Sequence, residues 1–160
     1  MKVVIKEGFD SLEQIKELFL EYASGLECSL DFQDFEAEIA HLPYKYAKPE
    51  GNLFIAKIRG EAVGCVAFKN LGNGICEMKR MYVREKYRRF GIGKKLAEIC
   101  ISRATKAGYE YMYLDTLDTM ILAVNLYRQL GFEEIEPYYN NPLPNVLYMG
   151  KKLQKNKNQG

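Results

Sequence analysis

At 160 residues the chain suits a single domain. Its 48% hydrophobic and 28% charged residues describe an ordinary globular protein with a substantial core, and exclude a disordered or fibrous chain. The net charge of +2 excludes a polyanion binder that is basic all over, so any anion site has to be local.

The opening MKVVIKEGFD is too charged, and its apolar run too short, for a signal peptide. No stretch approaches the length that crosses a bilayer, and the expected location is cytoplasmic. KVVIKEG, residues 2–8, alternates and predicts a strand. A helix follows over 10–25, where Leu12, Ile15, Leu18, Phe19 and Tyr22 recur at helical spacing and Gly25 stops the run. Asp10 with Glu13, or Ser11 with Gln14, is placed to form a capping box at its start. SLDFQDFEAEIAHLP, 29–43, predicts a second helix whose acidic residues Asp31, Asp34, Glu36 and Glu38 read as a solvated face that draws in a cationic amine. YKYAKPEG is loop. Residues 52–70 form two β-rich runs across the hairpin signal Arg59-Gly60-Glu61, LGNG (71–74) is a turn, and ICEMKRMYV (75–83) is a third strand of the same kind.

IGKKLAEICISRATKAG, 92–108, is a helix that buries Ile92, Leu96, Ile99 and Cys100 on one face. YEYMYLDT (109–116) is a strand and TMILAVNLYRQLG (119–131) a helix. FEEIEPYY (132–139) and VLYMGKKL (146–153) are closing strands around the loop NNPLPN. The domain spans 1–153, and 154–160 is a polar tail. The order β-α-α-β-β-β-α-β-α-β-β predicts an α/β (α+β) sandwich with a mixed, largely antiparallel sheet of about seven strands flanked by about four helices. The strand–helix–strand unit over 75–116 is expected to be parallel and right-handed.

Four cysteines, Cys28, Cys65, Cys76 and Cys100, form no CxxC pair, and the single histidine, His41, reads as a surface residue at a helix end. No metal site is expected. Cys65, Cys76 and Cys100 sit in apolar runs and read as small core hydrophobes.

The local anion signal is KYRRFGIGKKL, residues 86–96. Gly91 and Gly93 at a helix start remove the side chains that would hold a phosphate off the free N–H groups, and Arg88, Arg89, Lys94 and Lys95 add positive charge. A Walker A loop is excluded because no glycine precedes Gly93-Lys94 at the right distance and Lys95 stands where Ser or Thr belongs. A dinucleotide fingerprint fails because Leu96 takes the third glycine's place. The run from Arg88 to Gly93 does match Arg/Gln-x-x-Gly-x-Gly/Ala.

With that pattern the sequence resembles the GNAT superfamily of acetyl-CoA-dependent N-acetyltransferases over nearly its whole length, most strongly over 75–132. MYVREKYRRFGIGKKL resembles the family's pantetheine strand, pyrophosphate loop and following helix. LAVNLYRQLGF resembles its second motif, with Ala123 ahead of Leu-Tyr. FEEIEPYYNNPLPNVLYMGKKL resembles the strand–loop–strand ending of one branch. Two positions depart from the family pattern: Arg89 stands for a frequent glycine, and Met120 for an asparagine. The resemblance implies that acetyl-CoA binds as acetyl donor. It implies that the backbone of Met81, Tyr82 and Val83 pairs with the pantetheine arm, that Arg88, Arg89, Phe90, Gly91, Ile92, Gly93 and Lys94 hold the pyrophosphate, and that Tyr127 lies near the thioester sulfur.

Amine acetylation needs a neutral amine, a polarised carbonyl and a proton for the departing thiolate. Tyr127 can supply that proton, or serve only as a core aromatic. Glu77 can accept the amine proton directly or through water, or be a solvent-facing strand residue. Strand alternation puts Glu77, Lys79, Met81 and Val83 on one face. Tyr138 and Tyr139 either line the acceptor pocket or pack on a helix. The expected function is acetyl transfer to a primary amine by direct attack in a ternary complex. The expected partners are a small-molecule or protein amine and a second copy of the chain, with neither nucleic acid nor membrane. Two readings compete. The eight basic residues from Lys79 to Lys95, interleaved with Tyr82, Tyr87 and Phe90, suit a nucleic-acid patch, and the same fold suits a non-catalytic acetyl-CoA sensor.

Overall fold

The computed structural model describes residues 2–26 and 34–154. Cys28, Asp31, the start of the acidic helix and residues 155–160 of the tail lie outside the described residues. The elements in chain order are β1 (Val3–Glu7), α1 (Leu12–Ser24), α2 (Phe35–Ala40), β2 (Asn52–Ile58), β3 (Glu61–Gly72), β4 (Ile75–Val83), α3 (Ile92–Lys106), β5 (Tyr111–Leu117), α4 (Ile121–Gln129), β6 (Glu133–Glu134) and β7 (Val146–Lys152). They form one seven-stranded sheet in the order β1-β2-β3-β4-β5-β7-β6. All neighbours are antiparallel except β4 and β5, which α3 connects in parallel. This is the mixed, largely antiparallel sheet with four helices that the element order predicts.

Both faces of the central strands are covered, which is why β2 and β3 read as nearly continuous apolar runs. Phe54, Val66, Phe68, Cys76, Met78, Met112 and Leu114 pack under Leu96, Cys100 and Tyr127 of α3 and α4. Leu53, Ile55, Cys65 and Ala67 pack under Ile15, Leu18 and Phe19 of α1 and Phe35 of α2. Cys65, Cys76 and Cys100 are buried in these cores. Burial pushes all three thiols up, Cys76 to about 12, so none is a reactive thiolate. Among the described residues no helix is long and apolar enough to cross a membrane.

Three local expectations are corrected. Neither capping box forms: the chain enters α1 through a 3-10 turn over Phe9–Ser11 with no side-chain cap, and the Ser11 hydroxyl instead accepts a hydrogen bond from Lys57 at 2.9 Å. The strand expected to end at Asn70 runs on to Gly72, so the turn is confined to Asn73 and Gly74, with φ of 55° and 78°. The strand expected over 132–139 is only Glu133–Glu134, with one further ladder bond from Ile135 N–H to the Tyr148 carbonyl. Pro137 has no N–H for a ladder, and Tyr138 and Tyr139 turn off the edge to cover carboxylates on β4 and β5.

Candidate functional site

The site begins where two parallel strands part. β4 and β5 pair only through Ile75↔Tyr111, Cys76↔Met112 and Glu77↔Tyr113, although they run on to Val83 and Leu117. On its other side β4 carries a bulge. Ala67 faces Lys79 and Cys65 faces Tyr82, so Arg80 and Met81 together oppose Val66, with Arg80 at φ 60°. The bulge resets the alternation. Met81 and Val83 pack with Cys76 and Met78 on the α3 side, whereas Tyr82 packs on the α1 side. The expectation that Glu77, Lys79, Met81 and Val83 share one face is therefore wrong.

A non-glycine residue in the left-handed region costs roughly 1–2 kcal/mol, and a buried ion pair holds this one there. Arg80 Nε and Nη2 donate to Glu38 Oε2 and Oε1 at 2.9 and 2.8 Å, and Lys45 and Tyr46 donate to the same carboxylate at 2.8 and 2.9 Å. Burial works to raise the Glu38 carboxyl, but the Arg80 hydrogen bonds and charge, with Lys45, bring it down to about 2. Of the expected solvated acidic face, Asp34 and Glu36 are exposed, and Glu38 points inward to pin α2 onto the bulge.

The parted strands open a narrow cleft of about 80 Å³. Met78, Met81, Leu114, Ala123 and Tyr127 line it from the α3/α4 side. Tyr22, Leu26, Lys79, Arg80, Asp115, Asn141 and Leu143 line it from the α1/α2 side and the loop before β7. The cleft thus passes through the sheet, and two reactants can meet in it from opposite faces. Tyr127 is buried on α4 with its ring edge-on to Phe132. Burial raises its hydroxyl above the usual tyrosine value, so it stays protonated at neutral pH.

The glycine loop leads into α3 at one end of this cleft. Gly91, the N-cap, has φ 75° and places no side chain over the first amides of α3. Beside Gly93, an added Cβ would make only ordinary contacts with Leu126 and Val83. The first-turn amides of a 15-residue helix thus face outward through a gap that glycine leaves. Arg89 adopts φ 80° with its side chain exposed, so arginine holds the backbone conformation that glycine usually provides. Arg88 turns back to donate from Nε to the Val83 carbonyl at 2.8 Å, which ties the loop to the end of β4. Phe90 and Lys94 are exposed at the rim, and Ile92 anchors α3 in the core.

The remaining candidates fall behind the cleft rather than in it. Glu77 is 3% exposed and is not among the residues lining the cleft. It accepts from the Tyr138 hydroxyl at 2.5 Å, with Lys69 and Lys79 at 3.7 and 3.9 Å. Tyr139 donates to Asp115, as does Asn141 Nδ2 at 2.7 Å. The two tyrosine rings lie tilted against each other, and each meets Tyr148 edge-on. The eight basic residues do not form one patch. Lys79 and Arg80 are buried and Arg84 pairs with Glu21, which leaves Lys86, Arg88, Arg89, Lys94 and Lys95 exposed. His41 is exposed at the end of α2.

Asp115, Asn141 and Lys79 are among the cleft residues that sequence reasoning missed. Asp115 had a usable signal, since it is the charged residue of its strand and shares the parity of Tyr113 rather than that of buried Met112 and Leu114. Asn141 had none.

Residues 12–132 match the model of the acetyltransferase (GNAT) family. The chain is 43% identical over 146 residues to an uncharacterized N-acetyltransferase of Schizosaccharomyces pombe, covering 90% of each chain. Its fold superposes with a TM-score of 0.80 on a GNAT-family acetyltransferase of Staphylococcus aureus, at 24% identity over 96% of this chain and all of the other. The PaiA N-acetyltransferase of Thermoplasma acidophilum, solved in complex with coenzyme A, superposes with a TM-score of 0.71 at 17% identity, covering 95% of this chain and 99% of that one.

Proposed function

Because this chain belongs to the acetyltransferase (GNAT) family, we propose that it moves an acetyl group from acetyl-CoA to the primary amine of a small acceptor, by direct attack in a ternary complex. The observation that carries this reading is the cleft through the sheet, with Tyr127 on one side and Asp115 on the other. The residues fit acetyl-CoA. The first amides of α3, opened by Gly91 and Gly93 and flanked by Arg89 and Lys94, suit a pyrophosphate, and the parted edge of β4 from Met81 to Val83 has no β5 partner to compete with a pantetheine arm. Acetyl-CoA supplies the activated acyl group. The chain's residues orient it, exclude water and move two protons.

Tyr127, held protonated by burial, donates its hydroxyl proton to the departing thiolate as the carbon–sulfur bond breaks, and solvent restores that proton after the thiol leaves. We assign the receiving base to Asp115, the carboxylate that lines the cleft, and place Glu77 behind it with Tyr138. Asp115 is steadied by Tyr139 and Asn141 and retains further acceptor capacity.

Thiol release from acetyl-CoA against a panel of amines, with mass spectrometry of the product, tests the activity. Varying both substrates tests the mechanism. Intersecting double-reciprocal lines are expected, and parallel lines with an acetylated enzyme would refute direct attack.

A further inference from the structure

The donor half of the cleft has a closed end. β4 and β5 are last paired at Glu77↔Tyr113, and the next residues along the two strands are Met78 and Leu114. Both belong to the core on the α3/α4 side, both line the cleft, and they are 3% and 2% exposed. They stand in the angle where the strands part. Two positions back, Cys76 and Met112 are register partners and fully buried, so packed core closes the angle from behind.

The open end lies at the other extreme of β4. Arg88 ties the glycine loop to the Val83 carbonyl, and α3 starts directly after that loop. A donor with its pyrophosphate at those first amides and its arm along Met81 to Val83 therefore enters from the Val83 end. Its thioester advances toward the angle with the acyl group leading, beside Tyr127 of α4. The room left there is small. A cavity of about 150 Å³ holds a benzene ring. The cleft's volume of about 80 Å³ therefore suits roughly three to four heavy atoms, which is an acetyl group and the nitrogen that attacks it. Methionine often adapts to a ligand. Met78, however, is enclosed in the core it shares with Phe68, Leu96 and Cys100, and Leu114 has fewer rotatable bonds.

Resting on the acetyl-transfer reading above, we infer that Met78 and Leu114 fix the length of the acyl group this chain accepts. Acetyl fits against them, and a longer acyl group is rejected at the angle between β4 and β5. Each added methylene has to displace one of the two side chains from a packed core.

Calorimetry of the full chain with acetyl-CoA, propionyl-CoA and butyryl-CoA tests this without an acceptor amine. Propionyl-CoA is expected to bind roughly 10–200-fold more weakly than acetyl-CoA, the discrimination that one methylene gives in an apolar pocket, and butyryl-CoA more weakly again. Met78→Ala opens the angle toward Cys76 and is expected to bring propionyl-CoA within a few-fold of acetyl-CoA. A merely structural role for Met78 would weaken all three donors alike and leave their ratio unchanged. Where Met78→Ala does not fold, Leu114→Val is the smaller deletion at the same angle, and it is expected to narrow the ratio in the same direction. Equal affinity for the three donors in the unaltered chain overturns the inference, as does an unchanged ratio in the folded variant. Failure to bind either acetyl-CoA or coenzyme A refutes the acetyl-transfer reading instead.

Discussion

Replacing Glu38 with glutamine tests the buried pair that holds the bulge of β4. Arg80 is 2% exposed at its side chain and Glu38 1%, so the glutamine variant leaves a guanidinium buried beside a neutral amide. Removing one partner of such a pair costs about 3–5 kcal/mol. The acid–base linkage gives an independent figure. The Glu38 carboxyl lies at about 2 in the folded chain against an ordinary 4.5. At 1.36 kcal/mol for each pH unit, this depression corresponds to about 3 kcal/mol. Because the folded value is the lower one, the contribution is fully present above about pH 5 and is lost as the pH falls from 4.5 toward 2. Urea unfolding at pH 7 should therefore show Glu38→Gln less stable by about 3 kcal/mol. At pH 2.5 most of that difference should be gone. In a chain of this size the pH 7 loss lowers Tm by roughly 6–12 °C. Glu36→Gln, at an exposed position of the same helix, should change stability by less than about 0.5 kcal/mol. A Glu38→Gln loss below about 1 kcal/mol at pH 7, or the same loss at both pH values, would refute the account of α2 and the bulge as one electrostatic unit.

Three further outcomes follow from the site. Tyr127→Phe should lower turnover by roughly 10²–10⁴-fold, the range for losing a general acid, with acetyl-CoA affinity by calorimetry nearly unchanged; near-normal turnover with chemistry rate-limiting would assign the proton to another group. Gly91→Val forces a β-branched residue into φ 75° at the start of α3 and should abolish acetyl-CoA binding while the far-ultraviolet circular dichroism persists; unchanged affinity would remove the loop from the donor site. Cys65, Cys76 and Cys100 should react with a thiol-specific disulfide reagent only in denaturant, and rapid labelling of any of the three in the native protein would contradict their burial.

Local chemistry in the sequence was enough for the order of elements and the parallel unit around α3. It was also enough for the loop ahead of that helix, because a glycine pair at a helix start and an apolar stripe on the helix are properties of neighbouring residues. The placement of Tyr127 on the buried face of α4 was legible for the same reason. The direction of the β4 side chains was not. Strand alternation assumes an unbroken ladder, and the bulge at Arg80 breaks it to satisfy a carboxylate 42 positions earlier, at Glu38. The partners of Glu77 and Asp115 were equally hidden. Tyr138 lies 61 positions from Glu77, and Tyr139 lies 24 positions from Asp115. Alternation alone reads both tyrosines as strand residues, whereas the loop after Pro137 carries them over the sheet. The acceptor side of the cleft is assembled almost wholly from such distant pairs. A period of two or of 3.6 residues says which way a side chain leaves its own element, but only the packed sheet decides which buried charges must find each other to offset the loss of water.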